Sequence, residues 1–480
     1  MSILEMSNFK DKCQIFTPAD IVAKMLDLAD YSNGLCGKTI LENCCGDGAI
    51  LSQIVERYIQ DALRNGVLSE TLSYQLSRDI IAYEIDQQLV IACRQRLSAI
   101  AEKYNIRNVD WTIHNSSFLE SNDTEYFDYI VGNPPYIAYS DLPETEREKI
   151  RKSFSTCKKG KFDYSYAFIE KSFSLLKKGG KMVYIIPSSI FKNLFADELR
   201  MLIKPDLTTI VDYPQDKIFS NVLVSPAIIK VEKGADTSTI EYTEIIGKKA
   251  ATTTLSKGKL AGKWVFHAIR KKGTRVGDYF KVSNAVATLC NKVFILQNGS
   301  FEGNTYRIGT KKIETSILKK AVSPKSKRYS DGRTEYMVFP YSYSENGALT
   351  HYSEAEMLEQ FPFTMEYLSQ YRDALQSRAA DQSAGWYEFG RSQALQNMNQ
   401  KKIMISTVIS DETTAYMLDV DEIPYAGLYI IPTANIPLES LLVELNSKRF
   451  RQYAIRVGIS VSGSCRRITT KDIENYVFGS

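Results

Sequence analysis

The sequence predicts an α/β protein: a doubly wound, mostly parallel sheet in the first half, followed by a second domain of mixed α+β type. Three observations predict it. Up to about residue 232, short apolar runs of strand length alternate with helical stretches, the pattern of a parallel sheet covered on both faces. A glycine-rich turn, Gly46-Asp47-Gly48, joins the first such run to a helix. After Trp264 the alternation gives way to short strands, aromatic residues and irregular loops.

Taken in order, Thr39-Ile40-Leu41 is a short apolar strand and Ala49 to Tyr58 the helix beyond the turn. A second amphipathic stretch runs from Ser69 to Leu76. Ile80 to Tyr83 is the next strand and Gln88 to Tyr104 the next helix. Val109 to Ile113 and Tyr129-Ile130-Val131 are further strands. Tyr166 to Leu176 is expected as a helix closed by Gly179-Gly180, and Lys181 to Ile186 as a buried strand ended by Pro187. Gly234 to Lys263 is rich in Thr, Lys, Gly and Ala, with one strand-like piece near Ile240 to Ile246, and reads as a connection. The expected boundaries are 1–245 for the first domain, 246–262 for a linker and 263–480 for the second domain, with a helix at Leu438 to Arg451.

At 480 residues the chain exceeds one compact core, and its 44% hydrophobic and 24% charged residues are ordinary for a globular protein. No run nears the ~18–20 apolar residues of a membrane span. Met1 to Lys12 is polar, without the apolar core of a secretory signal, so a cytoplasmic, membrane-free protein is expected. The eight cysteines form no Cys-x-x-Cys pair, which supports neither a zinc site nor a disulfide framework; Cys290 and Cys465 read as packing residues. The three histidines, His114, His267 and His351, are far apart, so no metal is expected and a His-based triad has no support. A net charge of +4 neither requires nor excludes nucleic acid.

The turn after the first strand narrows the chemistry. Gly46 and Gly48 allow a sharp turn and close approach to a ligand at the carboxyl end of a strand, where open parallel sheets bind their ligands. A dinucleotide fingerprint would need glycine where Leu51 stands, and a P-loop would need Gly-Lys-Ser/Thr. A methyltransferase needs a glycine loop and an acid after the second strand. Glu84 in Tyr83-Glu84-Ile85-Asp86 is available to accept both ribose hydroxyls. Alone, the loop reads more readily as a tight turn of any α/β protein than as a cofactor site.

The strongest signal is Phe127 to Val131 running through Gly132 into Asn133-Pro134-Pro135-Tyr136. Two prolines fix φ and stiffen the turn. The Asn133 side-chain oxygen and the Pro134 carbonyl can then accept hydrogen bonds from one amino group. An aromatic amine is a poor nucleophile because its lone pair is delocalised into the ring. Two acceptors draw both N–H bonds out of the ring plane and localise that pair, and fixed dipoles stabilise the charge that develops on nitrogen. Tyr136 offers a face on which a base can stack.

These motifs resemble the N6-adenine DNA methyltransferases of bacterial restriction–modification systems, in the gamma or TaqI-like arrangement with cofactor motifs first and a target-recognition domain last. The resemblance implies a seven-stranded class I methyltransferase sheet, S-adenosylmethionine as cofactor, double-stranded DNA as partner and a flipped adenine as target. It implies the modification enzyme of a type II system, with a separate cognate restriction endonuclease, or an orphan methylase. Phe16-Thr17-Pro18 resembles the motif at the methionine end of the cofactor. Glu42, Asn43, Cys44, Gly46 and Gly48 resemble the family's Leu-Glu-Pro-x-Cys-Gly-x-Gly loop, with Asn43 in place of proline. Glu84, with Ile85, matches the ribose-binding acid, and Asn133, Pro134, Pro135 and Tyr136 match the catalytic motif. Phe219, in Lys217-Ile218-Phe219-Ser220, stands where the family places an aromatic against the extruded adenine.

Asp163-Tyr164 to Glu170 and Leu176 to Ser188 resemble later sheet motifs. Val282 to Phe294, Phe339-Pro340-Tyr341, Trp386 to Arg391 and Leu441 to Lys448 follow the family order in the second half. Two departures stand out. Ser116-Ser117 occupies the place of an acidic residue before Phe118, so Ser117 and Phe118 carry over only as neighbours of the cofactor. The long gap from Gly48 to Glu84 implies an inserted helix.

A DNA enzyme also needs phosphate contacts. Basic runs at Lys248-Lys249, Lys257 to Lys263, Arg270-Lys271-Lys272, Lys311-Lys312, Lys319-Lys320, Lys325 to Arg328 and Arg466-Arg467 suit that need, although most surface charges are simply solvated. Three alternatives remain: a protein glutamine N5-methyltransferase, which uses the same Asn-Pro-Pro-Tyr; an RNA adenine methyltransferase; and a catalytically silent specificity protein. No length is expected to be left for a nuclease domain.

Overall fold

A computed structural model describes residues 17–122, 126–215, 218–219, 225–267, 273–329, 334–434, 436–462 and 465–478. Phe16, Lys217, Ser220 and Arg270-Lys271-Lys272, all singled out above, lie outside the described residues. The chain divides into two units, Met1–His267 with Ile459–Gly463, and Ala268–Gly458 with Ser464–Ser480.

The first unit is built on one sheet. Its strands are β1 (Ile40–Glu42), β2 (Ile80–Tyr83), β3 (Thr112–His114), β4 (Phe127–Gly132), β5 (Leu176–Pro187), β6 (Leu207–Asp212), β7 (Pro226–Glu232), β8 (Thr239–Ile246) and β9 (Lys249–Ser256). Their order is β3-β2-β1-β4-β5-β7-β6-β8-β9. The pairs from β3 through to β5 are parallel, and β7 runs antiparallel to both β5 and β6. The first seven strands form the class I methyltransferase sheet, and the β8–β9 hairpin extends it.

Residues alternate between the two faces as the pleat requires. Along β5, Met182, Tyr184 and Ile186 enter one core, while Val183 and Ile185 enter the other. Leu41 and Ile130 join the first core, and Ile40 and Val131 the second. Burial on both faces is why these strands read as unbroken apolar runs. The covering helices include α1 (Ala19–Leu28), α2 (Ala49–Arg64), α3 (Ser69–Asp79), α4 (Gln87–Glu102), α5 (Glu144–Ser153), α6 (Ser165–Ser174) and α7 (Asp197–Ile203). The implied inserted helix is present: both α2 and α3 lie between β1 and β2. The buried Asp61 and Asp79 carboxylates accept from the Leu35 and Gly37 amides at 2.8 and 2.7 Å, fastening α2 and α3 to the approach to β1.

Several expectations need correction. Gly179-Gly180 does not close a helix; α6 ends at Ser174 and the glycines lie inside β5. A Cβ on Gly180 would sit 2.8 Å from the Phe127 carbonyl oxygen, so the glycine permits the close approach of β4 where its register shifts. Residues 246–262 are not an extended linker. Lys249–Ser256 pairs along its whole length with Thr239–Ile246 around Gly247, whose φ is 58°. The hairpin is mostly exposed, so it lacks the apolar signal of a strand. Trp264, placed in the second domain by sequence, is buried in the first unit's core; its amide donates to the Phe191 carbonyl at 2.7 Å and its ring stacks on Phe191 at 6.0 Å.

The second unit is mixed. One antiparallel sheet orders Phe280–Asn284, Leu428–Pro432, Lys402–Ile405 and Tyr416–Leu418. Another orders Ile295–Leu296, Glu335–Val338, Leu318–Val322 and Glu422–Pro424, the last pair parallel. The single helix expected at Leu438 to Arg451 is two, Leu438–Leu445 and Lys448–Val457. Asn446 and Ser447 break it. The Asn446 side chain bonds the Ala415 amide and carbonyl at 2.8 and 3.2 Å, and Ser447 caps the second helix through the Phe450 amide at 3.1 Å. Among the described residues no helix is long and apolar enough to cross a membrane.

Candidate active site

At the carboxyl ends of β1, β2 and β4 lies a cleft of about 860 Å³, partly open to solvent. Its wall is the turn after β1. Gly46 and Gly48 have φ of 55° and 86°, conformations that side chains rarely adopt. A Cβ on Gly48 would also meet the Cys93 sulfur at 2.7 Å, so the turn is held close against α4. Thr17, Glu42, Asn43, Cys44, Gly46, Glu84, Ile85, Ser117, Phe118 and Asn133, all picked from sequence, line this cleft. Gly48 shapes the turn without lining the cleft, and Pro18 is the N-cap of α1. Cys45, Asp47, Ala49, Ile50, Asp86, Leu89, Ser116, Pro135, Tyr164 and Phe168 complete it; of these only Pro135 was a sequence choice, for the catalytic turn. Asp47, Asp86, Ser116, Tyr164 and Phe168 fall inside segments quoted above but were not chosen as site residues; Leu89 and Phe168 arrive from helices, and Tyr164 from the position just before α6.

Glu84 is buried, and each of its oxygens already holds a backbone amide, Gly46 at 2.9 Å and Asp86 at 2.8 Å. An ionised carboxylate has about four lone-pair positions, so acceptor capacity remains toward the cleft. Burial raises the Glu84 carboxyl above its ordinary range, opposed by those amides. Burial pushes Glu42 well up too; it is 1% exposed beneath the turn.

Asn43 does more than replace a proline. Its side-chain nitrogen donates to the Ser172 hydroxyl at 2.9 Å and to the Tyr184 hydroxyl, and those two hydroxyls bond each other at 2.7 Å. All three residues are buried, so the network ties the end of β1 to α6 and β5. Asn43→Ala removes one member and leaves two buried hydroxyls short of a partner. It should destabilise the fold by about 1–3 kcal/mol; an unchanged denaturation midpoint would show that the network contributes nothing. Lys171 plays a similar part across the cleft, donating to the Phe118 and Ser121 carbonyls at 2.5 and 2.6 Å and fixing the turn that carries Ser117 and Phe118.

β4 delivers Asn133-Pro134-Pro135-Tyr136 to the same edge of the sheet. The Asn133 side-chain nitrogen donates to Thr17 Oγ1 at 3.2 Å, which turns its carbonyl end away from Thr17. Tyr136 is half-buried, and its hydroxyl donates to the Ile185 carbonyl at 2.7 Å. Its ring meets Phe219 edge-to-face at 6.4 Å. The two aromatics chosen from sequence are therefore brought together, beside the cleft rather than in its lining. Among the described residues no three His, Cys, Asp or Glu cluster as a metal site would require.

The sheet order and the cleft at its carboxyl edge define a class I methyltransferase fold. Within it, residues 56–219 match the family described as Eco57I restriction-modification methylase, which bears out the resemblance to restriction–modification methyltransferases. The chain is 28% identical over 244 residues to the type II methyltransferase M.HincII of Haemophilus influenzae, covering 49% of this chain and 40% of that protein. It is 24% identical over 500 residues to the type II restriction enzyme and methyltransferase RM.Eco57I of Escherichia coli, covering 84% of this chain and 49% of that one. The chain thus spans less than half the length of these relatives. Its fold is similar to the type IIL restriction-modification enzyme MmeI solved in complex with DNA, with a TM-score of 0.62 at 12% identity, over 95% of this chain and 64% of that one.

Proposed function

We propose that this chain is an S-adenosylmethionine-dependent DNA methyltransferase that modifies the exocyclic N6 amine of an adenine flipped out of the duplex, with its motifs in the gamma order. The observation that carries the reading is Asn133-Pro134-Pro135-Tyr136 at the end of β4, bordering a cleft in which Glu84 stands opposite with acceptor capacity to spare. The cleft fits the cofactor: a glycine turn approaches closely, Glu84 suits ribose hydroxyls, and Ile85, Leu89, Phe118 and Phe168 offer apolar surface to an adenine ring. When bound, the cofactor supplies an electrophilic methyl on a sulfonium. Glu84, Gly46 and Thr17 hold and orient it, Asn133 and the Pro134 carbonyl accept from the target amine, and Tyr136 with Phe219 flanks the extruded base.

In this reading the first unit, Met1–His267 with Ile459–Gly463, carries catalysis, the second, Ala268–Gly458 with Ser464–Ser480, recognises the target, and the protein acts in the cytoplasm at the nucleoid. Its partners are double-stranded DNA and a separate cognate restriction endonuclease. The likeness to type II methyltransferases favours DNA over RNA or a protein glutamine. Mass spectrometry of nucleosides from treated duplex DNA tests this. N6-methyladenine is expected; N4-methylcytosine would refute the adenine assignment, and methylglutamine in a protein would move the chain to another family. Affinity for DNA should also fall with a log–log salt slope of ~−0.9 per phosphate neutralised; a flat salt dependence would contradict the basic runs as phosphate contacts.

A further inference from the structure

The residues just after the catalytic turn are strapped, backbone to backbone, to a segment that carries a carboxylate the mechanism above does not use. The Tyr164 amide donates to the Ile137 carbonyl at 3.0 Å, and Ala138 and Asp163 form an isolated antiparallel bridge. The strap is anchored at the start of α6. Asp163 Oδ1 accepts from the Ser165 amide at 3.0 Å and the Ser165 hydroxyl at 2.6 Å, while its backbone carbonyl accepts from the Tyr166 amide at 3.0 Å. One aspartate thus organises both the first turn of α6 and the exit of Asn133-Pro134-Pro135-Tyr136. Tyr164, the next residue, lines the cofactor cleft; Asp163 does not.

From this geometry we propose that Asp163 is a positioning residue, whose ionised carboxylate holds the exit of the catalytic turn so that Asn133 and Tyr136 face the target amine, and that methyl transfer is lost when that carboxylate takes up a proton. The role rests on the methyl-transfer reading above. The ionised form accepts both Ser165 bonds at full strength, whereas a protonated oxygen accepts them weakly. The titratable groups that feel the carboxylate's charge are Tyr136 on the turn, Tyr166 on α6 and Cys157 below it, and all three are held neutral by burial. Burial raises the Asp163 carboxyl to about 6, only partly offset by Ser165. Because the raised value belongs to an acid, the active form exists above it and is lost below it.

The test is Asp163→Asn, which keeps the shape and one acceptor oxygen but removes the charge. Single-turnover methyl transfer is measured at saturating S-adenosylmethionine and duplex DNA across pH 5.5 to 8.5, roughly bracketing the histidine range. The wild type should lose rate on acidification with a midpoint near 6. The variant should be slower by about 10- to 100-fold at pH 8, without that acid limb and with cofactor affinity unchanged. Asp163→Glu should restore part of the rate. A variant with the wild-type rate, or one that keeps the acid limb, overturns the proposal. Hydrogen exchange at the Tyr164 amide gives a readout independent of turnover: protection should fall by about tenfold or more in Asp163→Asn, and unchanged protection likewise overturns the proposal. If the wild type methylates no DNA at all, the functional reading fails, while the exchange measurement still decides whether Asp163 holds the strap.

Discussion

Asn133→Ala should lower the rate of methyl transfer by at least ~10²–10³-fold, the usual effect of removing one preorganised polar group aimed at developing charge. The structure sharpens the reason. Thr17 takes the nitrogen end of the Asn133 amide at 3.2 Å, so the carbonyl end is oriented before any substrate arrives. Alanine removes the acceptor and leaves the stiff turn in place. Cofactor affinity should fall by less than about tenfold, because only one neutral contact near Thr17 is lost. Tyr136→Phe makes the informative contrast. It keeps the ring against Phe219 but deletes the hydrogen bond to the Ile185 carbonyl, so it should cost about 1 kcal/mol in stability and only a modest part of the rate. Single-turnover transfer of a radiolabelled methyl group measures both variants. Full activity in Asn133→Ala would remove the mechanism, since no other side chain of the Asn-Pro-Pro-Tyr turn offers an amide acceptor.

Glu84→Ala should nearly abolish cofactor binding, with affinity reduced by more than about 10²-fold. Two effects add. The ribose loses a charged acceptor, at ~1.5–3 kcal/mol, and the Gly46 and Asp86 amides lose the carboxylate that fixes the turn. The pH dependence separates them. Since burial raises the Glu84 carboxyl, protonation begins above the ~4.3 of an ordinary glutamate. Cofactor affinity should therefore decline on acidification already above that value, as an acceptor becomes a donor. The stability contribution runs the other way. An acid with a raised folded-state value costs stability while charged, and the cost is relieved as pH falls through that value. Calorimetric titration against pH, paired with thermal unfolding of the cofactor-free protein, should show affinity falling where this contribution does not. Unchanged affinity in a folded Glu84→Ala protein would sink the assignment.

The sequence by itself determined the parts whose chemistry is local. Strands buried on both faces, such as Ile130-Val131 and Met182 to Ile186, announce themselves because consecutive residues must be apolar. The glycine turn announces itself because glycine adopts φ of 55° and 86° without strain, and at Gly48 a Cβ would meet the Cys93 sulfur at 2.7 Å. Asn-Pro-Pro-Tyr is legible because rigidity and acceptor geometry sit in four consecutive residues. Tertiary structure decided what depends on partners distant in the chain. The β8–β9 hairpin passes for a linker because its stability comes from cross-strand pairing rather than buried apolar surface. Gly179-Gly180 belongs to a strand because β4 presses on it, and Leu438 to Arg451 breaks because Ala415 recruits Asn446. Asn43 gains its meaning from Ser172 and Tyr184, more than a hundred residues away. Leu89 and Phe168 reach the cleft only because the helices that carry them pack beside it, and Tyr164 because it stands at the start of one. A residue's own chemistry can be read from its neighbours in sequence; its hydrogen-bond partner across a core is fixed only when the sheet closes around both.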